Sequence, residues 1–266
     1  MTKEETRLAD RIAVLDRSRG FADNFDRFID FALFMFLANP TEEECRAFER
    51  HRKDKAYTEA LQMLGELSEG YHDSLGDMFM ERISHGSNSQ FFTPEHICEF
   101  MAIVGDSHDE SVADPTCGSG RLLLKGLQQS RANGCEPMLY GCDLDHRCTK
   151  VTLLNLCLNS ARGDVEWGNS LAFTAYKTYH IDRVRINGMW MSFVWQYSKG
   201  TTDLVDLNAQ RRRIMDELMC NGVMYEIPPV RRSQIRQGNG EITVPEVIEE
   251  VKVEKPVLPV QLEFAF

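Results

Sequence analysis

The sequence predicts an α/β protein in which a helical N-terminal region precedes a mostly parallel sheet. Three observations point there. Apolar residues recur at helical spacing through the first part of the chain, and short strand-like runs then alternate with helical patterns. The first such run, Val112-Ala113, passes directly into Asp114-Pro115-Thr116-Cys117-Gly118-Ser119-Gly120, after which Leu122-Leu123-Leu124 opens a helix.

Between Asp10 and Leu37, Phe21, Phe25, Phe28, Ala32 and Met35 follow a three-and-four spacing. That aromatic stripe either packs into a core or forms a face for a partner. Asn39-Pro40-Thr41 ends this helix, and Thr41 with Glu44 makes a capping box for the next. Tyr57, Leu61, Leu64 and Leu67 continue the helical spacing into Asp73-Ser74-Leu75-Gly76-Asp77-Met78-Phe79-Met80. A polar hinge, Ser87-Asn88-Ser89, delivers Phe91-Phe92-Thr93-Pro94. Thr93 is held extended by the proline ring that follows it, and Pro94 suits the first turn of a helix through Met101. Glu95 and His96 read as surface residues, since a histidine without a cysteine or carboxylate cluster is seldom a ligand. The expected organisation is a helical domain over 1–88, a sheet domain over 89–227 and an extended tail over 228–266.

A strand, a Gly-x-Gly turn and a helix N-terminus aim backbone N–H groups and positive partial charge at one point, which suits an anionic ligand group. Glycine allows both close approach and the backbone angles such a turn needs. By itself this is equally a glycine-rich turn with no ligand. The second strand, Tyr140-Gly141-Cys142-Asp143, ends in a carboxylate where the acid of a doubly wound sheet receives ribose hydroxyls. Asp145 caps a helix running to about Asn159, and a third strand, Val165-Glu166-Trp167, leads into Gly168-Asn169-Ser170-Leu171.

In this order the Phe-Phe-Thr-Pro segment, the Asp114–Gly120 loop, the Gly-Cys-Asp strand end and the Gly-Asn turn resemble the N6-adenine DNA methyltransferases. More narrowly, they are similar to the methylation subunits of type I restriction-modification systems. The resemblance covers roughly Asp73 to Asn187, and the seven-residue loop is its most specific part. It implies a Rossmann-like S-adenosylmethionine-dependent methyltransferase sheet over 89–227, with a shortened C-terminal part. By the same resemblance Phe92 and Thr93 meet the methionine end of the cofactor, Asp114, Cys117, Gly118, Ser119 and Gly120 form its loop, Asp143 takes its ribose, and Asn169 completes the site. DNA is the implied substrate, a specificity subunit or other restriction-modification subunit the implied partner, and no metal is implied. The helical domain would add contacts to DNA and to other subunits.

One station departs from that pattern. The family places Asn-Pro-Pro-Phe or Asn-Pro-Pro-Tyr after the fourth strand, and here Asn187-Gly188-Met189-Trp190 follows Asp182-Arg183-Val184-Arg185-Ile186. Methylating an adenine amino group requires a flipped base, two hydrogen-bond acceptors for its amino hydrogens and an aromatic stacked on the ring. Asn187 would supply one acceptor, the Gly188 carbonyl the second and Trp190 the stacking ring. Glycine in place of proline loosens that loop by on the order of 1 kcal/mol. Arg183 and Arg185 alternate with Val184 and Ile186, so one face of the strand is expected to meet solvent or a partner. Two readings follow: an adenine methyltransferase, or a catalytically inactive cofactor-binding relative that modulates restriction or methylation through partner proteins. Methylation of a protein or RNA group is a third, because this fold does not choose its substrate.

Composition bounds these readings. The chain has 266 residues, 42% of them hydrophobic and 27% charged, as in a soluble globular protein. A net charge of −11 argues against a free-standing, tight nucleic-acid binder, since phosphate contacts need lysine and arginine. Basic residues such as Arg211-Arg212-Arg213 gather in the second half, on a solvated helix face or a contact surface. The 8 cysteines show no Cys-x-x-Cys, so neither zinc nor a disulfide framework is expected, and Cys142, Cys148 and Cys157 read as small buried hydrophobes. No targeting segment or membrane span is seen, which suggests a cytoplasmic protein.

After Asn187, Met191–Tyr197, Asn221–Ile227 and Glu241–Val244 read as strands and Thr202–Met219 as a helix. That leaves no room for a target-recognition domain, so a partner subunit is expected to read the DNA sequence. The tail Val244–Pro259 reads as extended. Gln261-Leu262-Glu263-Phe264-Ala265-Phe266 is similar to short peptides that dock on bacterial sliding clamps, or is a terminus tucked onto its own domain.

Overall fold

A computed structural model describes residues 1–84, 91–105, 111–186 and 189–198. Helix α1 (Lys3–Ala13) begins with a capping box in which the Thr2 hydroxyl accepts from the Glu5 amide and the Glu5 carboxylate accepts from the Thr2 amide. The helical spacing expected to run unbroken from Asp10 is interrupted. Asp16 Oδ1 accepts from the amide of Ser18 at 3.0 Å and from its hydroxyl at 2.6 Å. Such local side-chain bonds offer the backbone an alternative to the helix, and α2 (Phe21–Phe34) starts afresh from Gly20. Phe25, Phe28 and Ala32 of the stripe are buried, with Phe21 and Met35 packed at the edge, so it is core. Helix α3 (Glu42–His51) opens with the Thr41–Glu44 capping box, and α4 (Lys55–Leu67) is capped by Asp54. Helix α5 (Ser74–Phe79) is capped by Asp73 and continues into a π-helical turn over Met80–Ser84. Helix α6 (Glu95–Val104) starts from Pro94.

Strands β1 (Ser111–Asp114), β2 (Met138–Asp143) and β3 (Gly163–Asn169) pair in parallel. Helices α7 (Arg121–Ala132) and α8 (His146–Leu158) make the two crossovers. Helix α8 packs on β2 and β3 through one side and on α2 through another, so it is buried along nearly its whole length. The α/β class is therefore seen. The expectation of a mostly parallel sheet fails after β3: β4 (Thr174–Ile186) turns back and pairs antiparallel, and β5 (Met189–Ser198) follows in the order β1-β2-β3-β4-β5. Only a short turn separates Asn169 from its partner Thr174, too little chain for the crossover that a parallel strand needs.

The last strand is tied to the helical region by backbone bonds. Ala38 N donates to Val194 O at 2.9 Å and Val194 N to Phe36 O at 2.8 Å. One continuous core runs from Leu8 through Leu75 and Leu154 to Val194. Residues 1–183 and 190–202 form one compact unit, so the division expected at residue 88 marks a change of secondary structure and not the edge of a separate core. The second unit, 184–189 and 203–266, lies outside the described residues apart from the adjoining ends of β4 and β5. The expected elements beyond Tyr197, and the sliding-clamp-like terminus, fall there as well.

A second expectation is corrected at Arg183. Its side chain does not face solvent: the residue is 8% exposed, Nη1 lies 2.8 Å from Glu136 Oε1, and the guanidinium sits 4.3 Å from the centre of the Trp190 ring. Glu136 comes from a distant stretch of chain and Trp190 from the strand that follows, which alternation within one strand does not register. Among the described residues no helix is long and apolar enough to cross a membrane.

Candidate functional site

The loop after β1 is built by local hydrogen bonds. Asp114 Oδ1 accepts from Thr116 N at 3.0 Å, Cys117 N donates to Cys142 O at 2.9 Å, and Gly120 N donates to Cys117 O at 2.7 Å. Gly118 and Gly120 have φ of +56° and +79°, the left-handed region that favours glycine. The immediate steric reason for each glycine lies within the protein. A Cβ on Gly118 would come within 2.9 Å of the Phe92 ring, and one on Gly120 within 2.9 Å of Thr152 Cγ2.

Asp143 closes the loop from the neighbouring strand. Its Oδ2 accepts from Gly118 N at 2.8 Å and its Oδ1 from Asp145 N at 2.8 Å. Burial raises its carboxyl above the ordinary range against those two amides, and the negative charges of Asp145 and Asp114 add to the rise. Burial raises Asp114 likewise. The amides of Thr116, Cys117, Gly118 and Gly120 are bonded inside the protein, and two acids, Asp114 and Asp143, stand beside the loop.

Side chains from three other elements hold the loop. Thr152 Oγ1 donates to Gly118 O and Asn155 Nδ2 to Ser119 O, both at 2.9 Å. The Ser119 hydroxyl donates to Asp73 Oδ2, which also accepts from Arg121 Nε at 2.9 Å. Arg121 reaches further, from Nη2 to Asp77 Oδ1 at 2.6 Å and from Nη1 to Thr93 O at 3.3 Å. Phe92 stacks on Phe79 with ring centres 5.2 Å apart. Cys117 is buried, and burial raises its thiol far above the ordinary value.

The structure thus brings Phe92, Thr93, Asp114, Cys117, Gly118, Ser119, Gly120 and Asp143 together at the carboxyl end of the parallel strands. Asn169 ends β3 at the same rim, where its Oδ1 accepts from Ala172 N at 3.0 Å. Apolar side chains stand open around it, with Leu171 and Phe173 91% and 96% exposed and Leu144 next to Asp143. Two acids beside exposed apolar residues fit a ligand with hydroxyls, positive charge and a flat ring. A nucleoside bearing an ammonium and a sulfonium meets that description better than a dinucleotide pyrophosphate.

The catalytic station divides. Asn187 and Gly188 lie outside the described residues. Trp190 is away from the rim: its carbonyl accepts from Ser160 Oγ at 2.9 Å, just before β3 begins at Gly163. The length of β3, roughly 20 Å at about 3.3 Å per residue, separates that end from Asn169, and one face of the Trp190 ring carries Arg183. Reversal of β4 is the reason, since Ile181 pairs with Gly163 at the amino end of β3. Stacking of Trp190 on a base beside Asp143 does not fit this arrangement.

Asp73, Arg121, Thr152 and Asn155 were not anticipated as site residues. One signal for Asn155 was present, an amide set among Leu153, Leu154, Leu156 and Cys157 on a buried helix. Glu95, expected at the surface, is half-buried, with Lys125 Nζ 2.6 Å from its Oε1 and His72 beside it. His96 is exposed as expected.

Residues 71–213, more than half of the chain, match the N-6 DNA Methylase family. The chain belongs to this family. Among the relatives of this chain is a type I restriction enzyme MjaIX methylase subunit of Methanocaldococcus jannaschii. It is 26% identical over 113 residues, covering 41% of this chain and 20% of that one. The type II restriction enzyme and methyltransferase RM.BcgI of Heyndrickxia coagulans is 25% identical over 133 residues, 43% of this chain and 21% of its own. The type I restriction enzyme MjaVII methylase subunit of M. jannaschii is 23% identical over 172 residues, 59% of this chain and 28% of its own. The chain thus spans from a fifth to a little over a quarter of the length of these relatives.

Proposed function

We propose that this chain holds S-adenosylmethionine at the rim formed by Asp114, Gly118 and Asp143, and serves adenine-N6 methylation of DNA in a restriction-modification assembly. The observation that carries the reading is the 2.8 Å bond from Gly118 N to Asp143 Oδ2, which fixes an acid against the loop. Asp143 has lone pairs left for two ribose hydroxyls. Asp114 faces the positive end of the ligand, and Leu144 and Leu171 offer apolar surface to its base. Bound there, the cofactor supplies a methyl group made electrophilic by the sulfonium.

The protein's part is to hold the reacting carbon still and to exclude water from the acids. Acceptors for the adenine amino hydrogens would come from Asn187 and Gly188 or from a partner subunit that also reads the DNA sequence. A second reading, cofactor binding without transfer, is favoured by one observation: Trp190 stands at the opposite end of β3 from Asp143.

Calorimetry with S-adenosylmethionine tests the first step. Binding should be lost in Asp143→Ala and Gly118→Val, and unchanged binding in both would remove the site. Transfer of labelled methyl to adenine-containing duplex DNA, with and without co-purified subunits, separates the two readings. No transfer in either condition leaves the non-catalytic one.

A further inference from the structure

Helix α6 is apolar nearly all round. Its residues, Glu95-His96-Ile97-Cys98-Glu99-Phe100-Met101-Ala102-Ile103-Val104, include no lysine or arginine. A helix of that kind is normally buried on every side, yet α6 packs on α7 with Cys98 as its one buried residue. Ile97, Phe100, Met101 and Val104 follow the i, i+3, i+4, i+7 spacing of a single helix face. All four are exposed, Phe100 by 63% and Val104 by 65%, and exposed Ile103 stands at their flank.

The acids of this helix lie on the side toward α7. Lys125 places its Nζ 2.6 Å from Glu95 Oε1 and 3.2 Å from Glu99 Oε1. What remains outward is apolar apart from the exposed ring of His96. At roughly 150–250 Å² for a whole aromatic side chain, five residues open to this degree present on the order of 500 Å² of apolar surface. The largest apolar patch on a typical monomer is about 300–600 Å² and is often functional. A standard interface hides roughly 800 Å² per partner, as an apolar core inside a polar rim, and the face of α6 has the size of such a core.

Chemistry narrows the occupant. Nucleic acid is held through phosphate contacts from lysine and arginine, and helices that lie on a membrane carry the same residues on their polar face. Helix α6 has neither, so its occupant is an apolar protein surface. The chain's net charge of −11 makes two copies repel across their charged faces, and α6 offers a face where no like charges meet. An apolar stripe also matches itself, as a two-fold interface requires.

We propose that α6 is the seam of a homodimer, in which the Ile97–Val104 face of one copy packs antiparallel on the same face of a second. Phe100, near the middle of that face, lies close to the two-fold axis and meets its own counterpart. Asp114, Gly118 and Asp143 take no part in the seam, which is independent of the cofactor reading.

Analytical ultracentrifugation of the full chain tests this. A monomer–dimer equilibrium should appear across the micromolar range. Phe100→Glu and Phe100→Lys each set like charges against one another at the axis and should weaken association about tenfold or more. Mixed in equal amounts, the two variants should associate again, because glutamate then faces lysine, a recovery that only a symmetric seam gives. Gly118→Val should dimerise as the unaltered protein does, so that failure of the seam and failure of the cofactor site are told apart. A chain that stays monomeric at every concentration, a dimer indifferent to both substitutions, or a mixture that does not recover overturns the proposal. The concentration dependence of the unaltered protein stands whether or not a variant folds.

Discussion

Arg121, the first residue of α7, donates from Nε to Asp73 Oδ2 at 2.9 Å, joining the helical region to the start of α7, just after the Gly118–Gly120 turn, through a buried ion pair. Asp73 is 1% exposed and also accepts from Gly76 N at 2.8 Å, from Asn155 Nδ2 at 2.7 Å and from the Ser119 hydroxyl. Burial raises its carboxyl above the ordinary value, and those donors, the Arg121 guanidinium foremost, work against that. Removing the acid would take one partner each from the guanidinium, the Ser119 hydroxyl, the Gly76 amide and Asn155, leaving Arg121 only Asp77 and Thr93 O.

Asp73→Ala is accordingly expected to destabilise the protein by about 3–5 kcal/mol, the cost of breaking a buried pair from one side. Urea unfolding measures it. A loss under about 1 kcal/mol would mean that water or Asp77 takes over the role.

Gly118→Ala should cost about 1–2 kcal/mol, because φ of +56° is strained for any residue with a Cβ and that Cβ would lie 2.9 Å from the Phe92 ring. Trimming the ring in a Phe92→Leu background should recover only part of the loss, since the backbone strain stays. Thermal melts of the two single variants and the double variant decide this, and full recovery would show that backbone strain contributes little.

His72 lies between two carboxylates, with Nε2 2.7 Å from Glu5 Oε1 and Nδ1 3.3 Å from Glu95 Oε2. Burial works against its charge, yet the bonds to Glu5 and Glu95 outweigh burial and raise its pKa. A histidine raised in the folded state adds stability that is fully present below the unfolded value, about 6.5, and is lost as pH rises through the folded value. His72→Gln should therefore lose more stability at pH 5.5 than at pH 9. Equal losses at the two pH values would show that packing, not charge, is what His72 contributes.

Cys117, Cys148 and Cys157 are buried, and burial raises all three thiols well above the ordinary value. Alkylation by iodoacetamide at pH 8 should spare them in the native protein and reach them only on unfolding, because the thiolate is the reactive form. Half-buried Cys45 and Cys135 should react before these three. Mass spectrometry of the labelled peptides reads the order.

Much of the candidate site could be read before any coordinates. The stop at Thr41, the cap at Asp145, the left-handed glycines at 118 and 120 and the carboxylate at the end of β2 all follow from residues that act on near neighbours in the chain. One feature of the turn was not legible for a long-range reason: Gly118 N is bonded to Asp143, a residue on the next strand.

By itself, the sequence determined the local pieces: which segments coil, which extend, where the caps stand and which turn needs glycine, because those depend on interactions a few residues long. Tertiary structure alone decided that Arg183 is buried against Glu136 and that Asp73 grips Ser119 and Arg121. It also decided which polar groups, Gln196 Oε1 among them, end without a partner. Such contacts join residues far apart in the chain, and their energies exist only once the chain has closed around them.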